Sequence, residues 1–421
     1  MPSSWRRLAL ALACVATTAC SEDLSGDAAC PALCPEQNLE MVDVTLFPLS
    51  VDSSIRAFPP IGTEQQLLLA RRGDSLVTGV VLRFDSTKTR FARSTSDTTT
   101  VPILSLSNPT VAVTLVGSLI LNKPLTIEVY DVDATAPDLD TAAVRALFRP
   151  DRLIADSVLA APDTLSGNIE LALPDEFVEP RVLARQRIRL GLLVRSDSAL
   201  SFTVSALESG GPSILNYTAT TELTTTSPTV VTVNSRPPPE AGARIPGLED
   251  YTIVILGTPA PPPEVLAVGG FPASRSYLRF AIPAGIVETT TVVRAKLILT
   301  QIGSTSVGSS DSVTLVPRMV LAAQSVDPGK ASLLLAAPGF PGILPLPLLP
   351  SNGGVREIEL VALLQQWRTQ DTTRASRALV LQSGDEGIEP QELLFHSSEA
   401  PEAVRPRLRI TYIPRARFEL P

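Results

Sequence analysis

The sequence predicts an all-β protein with two antiparallel, jelly-roll-like β-sandwich domains in tandem and one short helix in the C-terminal domain. Apolar residues make up 44% of the 421 residues, enough to build hydrophobic cores and to exclude a disordered chain. Charged residues make up only 19%, and Ser and Thr supply much of the polar surface. Branched Thr and Val side chains fit a pleated sheet, and the 38 prolines interrupt helices. A chain of this length suits two domains.

Residues 1–19 have the features of a secretion signal. Arg6 and Arg7 provide the positive start, and 8–16 form an apolar stretch too short to span a bilayer. Small residues directly before Cys20 resemble the bacterial lipobox, in which the cysteine is lipidated and becomes the mature N-terminus. We therefore predict lipidation at Cys20 and an exported protein anchored at the bacterial cell envelope, at the outer membrane. Cleavage without lipidation and an uncleaved anchor are the alternatives.

The charge of the chain argues against binding of nucleic acid or of an anionic membrane surface. The formal charge is −8, and loss of Arg6 and Arg7 with the signal would leave −10. An acidic chain without a basic run in its sequence lacks the electrostatic attraction that both partners require. The predicted membrane contact is thus made by the N-terminal lipid through hydrophobic burial.

Residues 20–41 are predicted to be a tether that leads away from the membrane. Cys30 and Cys34 stand four residues apart in it. A disulfide is the favoured interpretation, because exported proteins fold in an oxidising compartment. Two thiolates at this spacing would also suit a metal, but no further cysteine or nearby histidine completes a set of four ligands.

Short strand-like segments separated by turn residues follow the tether, at a spacing typical of sandwiches. They are 42–49, 66–70, 76–84, 111–121, 125–130, 188–194, 200–207 and 230–233. We predict an N-terminal sandwich at 42–235, a proline-rich linker at 236–249 and a C-terminal sandwich at 250–415. Residues 240–421 are accordingly expected to fold alone.

The C-terminal third carries two extended signatures, at 276–280 and 405–412, each alternating apolar with polar side chains. Between them, Leu360, Leu363, Leu364 and Trp367 share one helical face. The order of strands, a short helix ending in Trp, and a closing strand after Arg-Pro resembles the DNRLRE-domain family. That family comprises β-sandwich modules of bacterial secreted proteins, grouped with carbohydrate-binding modules.

The DNRLRE resemblance covers roughly residues 250–415 and implies a non-catalytic module, with polysaccharide as the suggested ligand. In that family the position of Trp367 closes the core. A helix packed on a sheet predicts the same burial from the residues themselves. The alternative is an exposed ring that stacks on a sugar.

The two halves of the chain read as a divergent repeat. The triplet at 82–84 returns at 278–280, and the triplet Ile-Glu-Leu at 169–171 is repeated at 358–360. The helix is expected to be lost from the first copy, because Pro174 interrupts its segment and no Trp follows.

Four carboxylates in one short stretch, Asp131, Asp133, Asp138 and Asp140, form the one candidate metal site, for calcium. The stretch lacks the glycine of a helix-loop-helix calcium loop, and Ala142 stands where its closing glutamate would be. A solvated loop is the favoured interpretation, so no metal and no cofactor is predicted.

Three further features have ordinary structural explanations. The tripeptide at 72–74 matches an integrin-recognition sequence but suits a turn between strands. His396 lies near Ser and Glu, yet no nucleophile elbow accompanies it. The apolar, proline-rich stretch 338–350 is interpreted as a lid on the sandwich, with a sticky surface patch as the alternative.

These observations predict a non-catalytic cell-envelope lipoprotein whose β-sandwich modules bind a ligand, with polysaccharide favoured. The sequence shows no convergent set of titratable side chains of the kind that a catalytic site contains, so no enzymatic activity is predicted. The alternative is a structural or adhesive surface protein that binds a protein partner and no glycan. Retention on glycans would separate the two.

Overall fold

A computed structural model describes residues 41–73, 75–85, 87, 89–92, 100–133, 140–222, 229–234, 250–257, 259–305, 311–321, 344–369 and 377–414. Residues 43–421 form one compact unit. Within the described ranges, no helix has the length and apolar character needed to cross a membrane. The predicted signal, the linker and all of the tether but Met41 lie outside these residues.

Twenty-three strands and four short α-helices are present in the described part of the chain. The strands are β1 (Val42–Leu46), β2 (Pro48–Phe58), β3 (Gln66–Arg72), β4 (Leu76–Phe84), β5 (Arg90–Ala92), β6 (Thr100–Leu121), β7 (Leu125–Asp131), β8 (Leu153–Leu159), β9 (Asp163–Ala172), β10 (Ile188–Arg195), β11 (Leu200–Ser205), β12 (Ile214–Thr221), β13 (Thr229–Asn234), β14 (Asp250–Leu256), β15 (Val265–Gly269), β16 (Ala273–Phe280), β17 (Thr290–Ile302), β18 (Val313–Leu321), β19 (Leu346–Leu348), β20 (Gly354–Glu359), β21 (Arg377–Ser383), β22 (Glu392–His396) and β23 (Arg407–Pro414). The helices are α1 (Thr141–Arg145), α2 (Asp175–Leu183), α3 (Ala284–Thr289) and α4 (Val361–Thr369).

The strands form two antiparallel sheets with the same internal order. One runs β13-β12-β6-β11-β3-β4-β10-β7-β8, with β14 added on β4 and β9 on β6. The other runs β1-β23-β17-β22-β15-β16-β21-β18-β19, with β2 added on β16 and β20 on β17. Each strand of one sheet therefore has a counterpart in the other, apart from the short β5. This correspondence confirms the repeat that the sequence matches indicated.

Each sheet folds back on itself to form a sandwich. In the C-terminal sandwich, β17 connects the layers: Arg294–Ile298 pair with β23, whereas Gln301 and Ile302 pair with β22. Alternate residues of both layers point inward and meet in one core, which includes Leu297, Ile358, Leu408, Leu278, Leu381 and Phe395. The N-terminal core has equivalent members in β4, β6, β9 and β10. The prediction of an all-β fold with two antiparallel sandwiches is confirmed.

The helices differ from the prediction in two places. The first copy keeps its helix: α2 begins directly after Pro174 and buries Phe177 and Val178. Proline is tolerated before a helix because the first-turn amides have no partner within the helix. The C-terminal sandwich has a second helix, α3, after Pro283. Its sequence Ala-Gly-Ile-Val-Glu-Thr gives a weak helix signal, and packing of its buried residues compensates.

The strand pairing does not follow the predicted division at 42–235 and 250–415. Strand β2 precedes the first copy in the chain, yet it pairs along β16 of the C-terminal sandwich. Strand β14 precedes the second copy, yet it pairs along β4 of the N-terminal sandwich. Hydrogen bonding between strands distant in sequence decides this membership, and alternation within one strand carries no record of it.

Candidate functional site

One of the two layers of the C-terminal sandwich presents a charged surface on the side that faces away from the core. Strands β20, β17 and β23 lie side by side in it, with β17 in the centre. Residues that alternate with the core positions must point away from the core, because side chains along a strand leave opposite faces. We call their surface the outer face; it consists of Val355, Glu357, Glu359, Arg294, Lys296, Ile298, Thr300, Arg407, Arg409 and Thr411.

Four cations meet on the outer face. Lys296 lies directly opposite Arg409 in the β17–β23 pairing, Arg294 lies opposite Thr411, and Arg407 lies opposite Ile298. Like charges directly opposite each other destabilise a sheet. The cluster therefore carries an electrostatic cost, part of which the neighbouring carboxylates of β20 offset.

Two carboxylates of β20 border the cations. Lys296 Nζ lies 2.5 Å from Glu357 Oε2. The hydrogen bond from Lys296 and its charge hold the pKa of Glu357 below its usual range, and Arg409 and Arg294 add to this effect. Three cations thus act on one carboxylate. The outer face holds four cations and the carboxylates Glu357 and Glu359, and Asp43 of the adjoining β1 accepts a hydrogen bond from Thr411 at its edge.

The outer face has a buried apolar residue at its base. Ile298 points away from the core between Arg407 and Glu357, but only 5% of it is exposed. Long charged side chains bury their methylene groups on such a residue while their heads stay in water. Their heads are thus presented at the surface of a rigid sheet.

The corresponding face of the N-terminal sandwich carries Glu170 on β9, but polar uncharged groups at the positions that follow. Its outward positions on β6 and β12 include Thr110, Thr114 and Asn216. Thr114 Oγ1 donates to Asn168 Oδ1 on β9 at 2.9 Å. Hydroxyl and amide groups thus occupy, in the first copy, the face that carries cations in the second. The two faces are not interchangeable binding surfaces.

The described carboxylates of the acidic stretch are engaged by neighbouring groups of the protein. Asp131 Oδ2 accepts from Arg152 at 3.1 Å and from Arg181 at 3.0 Å. Asp133 pairs with Arg187, and Asp140 caps α1 by accepting from the amide of Ala143. Asp138 lies outside the described residues. Within those residues, no group of three His, Cys, Asp or Glu side chains could hold a metal ion.

Trp367 is buried, with 2% of its surface exposed, and packs in the C-terminal core beside Leu360, Leu363 and Leu364. The prediction of core packing is confirmed, and the alternative of an exposed sugar platform is wrong. The reason is that α4 places Leu363, Leu364 and Trp367 on its buried face, and Leu360 directly precedes the helix.

The structure describes only some of the remaining sequence features. His396 ends β22, where the neighbouring hydroxyl of Ser397 is buried and contacts the carbonyl of Pro263 at 3.0 Å and the carboxylate of Glu399. Gly73 occupies the β3–β4 turn with φ +52°, and Leu344 is 85% exposed beside β19. Other sequence features lie outside the described residues: Cys20, Cys30, Cys34, Asp74 and 338–343.

The cations of the outer face went unrecognised in the sequence. The signal available was the period-two spacing of Arg294 with Lys296 and of Arg407 with Arg409. Each pair is ordinary for the polar side of a strand. Only the β17–β23 register brings the two pairs together.

No family model and no curated protein matches the chain. Among solved structures, the N-terminal CBM22-1–CBM22-2 tandem domain of Paenibacillus barcinonensis Xyn10C aligns with 9% identity and a TM-score of 0.15, over 87% of this chain and 97% of that one. A structure of the infectious bursal disease virus Gx strain aligns with 10% identity and a TM-score of 0.09, over 92% of this chain and 80% of that one. TM-scores this low establish no relationship. The DNRLRE resemblance therefore stays a prediction.

Proposed function

We propose that the protein is a non-catalytic lipoprotein of the bacterial cell envelope that binds an acidic polysaccharide on the outer face of its C-terminal sandwich. The cross-strand pair of Lys296 and Arg409, with Arg294 and Arg407 beside it, carries this proposal. Arginine and lysine form charge-assisted hydrogen bonds with carboxylates, and cations spread over neighbouring strands suit an extended polymer. The chain as a whole is acidic, so this local cluster of cations does not follow from its overall charge.

The binding prediction concerns Lys296→Glu combined with Arg409→Glu. The wild-type chain is expected to be retarded in a native gel that contains alginate, a polyuronate, and not in one that contains neutral dextran. The double variant should bind alginate at least about tenfold more weakly, because one hydrogen bond to a charged group contributes about 1.5–3 kcal/mol and 1.4 kcal/mol is tenfold in Kd.

Lys123→Glu with Arg149→Glu is the matched control, since both side chains are exposed in the N-terminal sandwich and the change in charge is identical. The control should bind alginate as the wild type does. Equal loss in both variants would show a general charge effect and would remove the outer face as the site. Retention on an envelope protein with no retention on alginate would instead favour the adhesive protein.

The anchoring prediction concerns Cys20→Ser. A lipidated Cys20 would hold the mature chain at the membrane through its acyl groups, because burial of several chains is required for a stable anchor. The variant is expected to lose fatty-acid labelling and to leave the membrane fraction. Labelling that persists in the variant would contradict lipidation at this position.

A further inference from the structure

Two strands occupy equivalent places in the two sandwiches and make the same contacts. We call β2 and β14 the latch strands. In β2, Asp52 Oδ2 accepts from the amide of Ser398, two residues after the end of β22. In β14, Asp250 Oδ2 accepts at 3.1 Å from the amide of Leu207, two residues after the end of β11. Both aspartates thus fasten their latch strand to the chain that leaves a corresponding strand.

The residue two positions after each aspartate repeats this equivalence. Ser54 Oγ accepts from the amide of Ala267 on β15 at 2.8 Å. Thr252 Oγ1 accepts from the amide of Leu68 on β3 at 2.9 Å. A buried isoleucine follows in both strands, at positions 55 and 253. The shared pattern is Asp-x-Ser/Thr-Ile.

The acceptor for β2 is an opening between β15 and β16. These two strands pair with each other only at Gly269 and Ser274, whereas β2 pairs along the whole of β16. Arg56 of the latch strand then reaches across to Glu392 on β22, with 2.6 Å between Nη2 and Oε1. Main-chain pairing gives the latch strand affinity, and its side chains fix the register.

The covalent connections to the two acceptors differ although the contacts agree. Strand β14 follows its acceptor sandwich in the chain, whereas β2 is separated from its acceptor by the whole N-terminal sandwich. Two equivalent acceptors therefore hold equivalent latch strands although the covalent connections to them differ.

The connection from β2 to β3, residues 59–65, has the character of a hinge. Pro59 and Pro60 favour an extended chain, and Gly62 has φ +71°. Glu64 is buried there, and burial raises its pKa to about 7. A Cβ on Gly387 of the C-terminal sandwich would lie 2.6 Å from Pro59 Cδ, so the closed hinge packs tightly.

We propose that β2 also docks on a second copy of this chain, so that two copies exchange residues 42–58 and each completes the C-terminal sandwich of the other. An exchanged strand makes the same contacts as in the closed chain, and the hinge decides which acceptor it reaches. Docking within one chain benefits from a high effective concentration. The exchanged pair should therefore increase as the protein concentration rises.

The test uses the hydroxyls of Ser54 and Ser276, which lie 2.7 Å apart. The four native cysteines are replaced by serine in the full chain. One chain then carries Ser54→Cys, and a second chain of different mass carries Ser276→Cys. The two are unfolded and refolded together at increasing concentration, so that slow opening of the closed form does not block exchange, and are then oxidised. A disulfide-linked product containing one chain of each mass is expected.

Three controls make each outcome decisive. Ser351→Cys, at an exposed turn, replaces Ser276→Cys to measure random oxidation. A single chain with both Ser54→Cys and Ser276→Cys should close on itself, confirming the register, and then stay monomeric. The wild-type chain should change from monomer to dimer with concentration by light scattering. A mixed product no greater than the Ser351→Cys control, failure of the double variant to close, or a wild-type monomer at every concentration would overturn the proposal.

Discussion

Residues 240–421, expressed alone, are expected not to reach a stable fold, although the sequence predicted that they would. The fragment lacks β2, and it keeps β14, whose acceptor β4 is missing from it. Removal of β2 leaves one side of β16 without its hydrogen-bond partners and exposes Tyr277, which β2 covers with Ile55. Each lost backbone hydrogen bond costs a net of about 0.5–1.5 kcal/mol, because water replaces the missing partner. The hydrogen bonds of a whole strand, together with the apolar contacts of Ile55, are therefore comparable to the net stability of about 5–15 kcal/mol that a domain has.

The matched control is a chain in which residues 42–58 are joined by a flexible Gly-Ser linker to residues 259–421. This chain contains every described strand of the C-terminal sandwich and omits β14. Circular dichroism and urea unfolding should show a strand-rich, cooperative fold for the control and none for the fragment 240–421. A cooperative transition of the fragment at the same midpoint would show that β2 contributes nothing to this sandwich.

Trp367→Ala is expected to destabilise the protein by about 3–5 kcal/mol, the cost of emptying a large aromatic site in a core. The side chain is 2% exposed and packs among leucines of α4 and the residues of both layers. The strands around this core are held by extensive backbone pairing, so they cannot collapse into the space that the indole leaves. Urea unfolding of the full chain measures the loss.

Val355→Ala is the matched control, because Val355 lies on the neighbouring β20 with 55% of its surface exposed. A surface truncation of this kind should change the free energy of unfolding by less than about 0.5 kcal/mol. Equal midpoints for wild type and Trp367→Ala would show that the indole is not a core residue, contrary to its position in the structure.

The sequence by itself determined the fold class, the positions of ten of the twenty-three described strands and the helix α4. Strand β4 was predicted at 76–84 and lies there, and the stripe that ends in Trp367 proved to be the inner face of a helix. These features depend on local properties: alternation with a period of two, a helical stripe, and turn residues between strands. They leave a readable pattern within a few consecutive residues.

Only the tertiary structure decided which strand completes which sandwich and which charges meet. The Asp-x-Ser/Thr-Ile pattern of β2 and β14 is visible in the sequence, but neither strand indicates its acceptor. Likewise, Lys296 and Arg409 are 113 positions apart and become neighbours only through the β17–β23 register. Hydrogen bonds between strands are made by the backbone, which is the same at every residue, so the choice of partner depends on how the whole core packs.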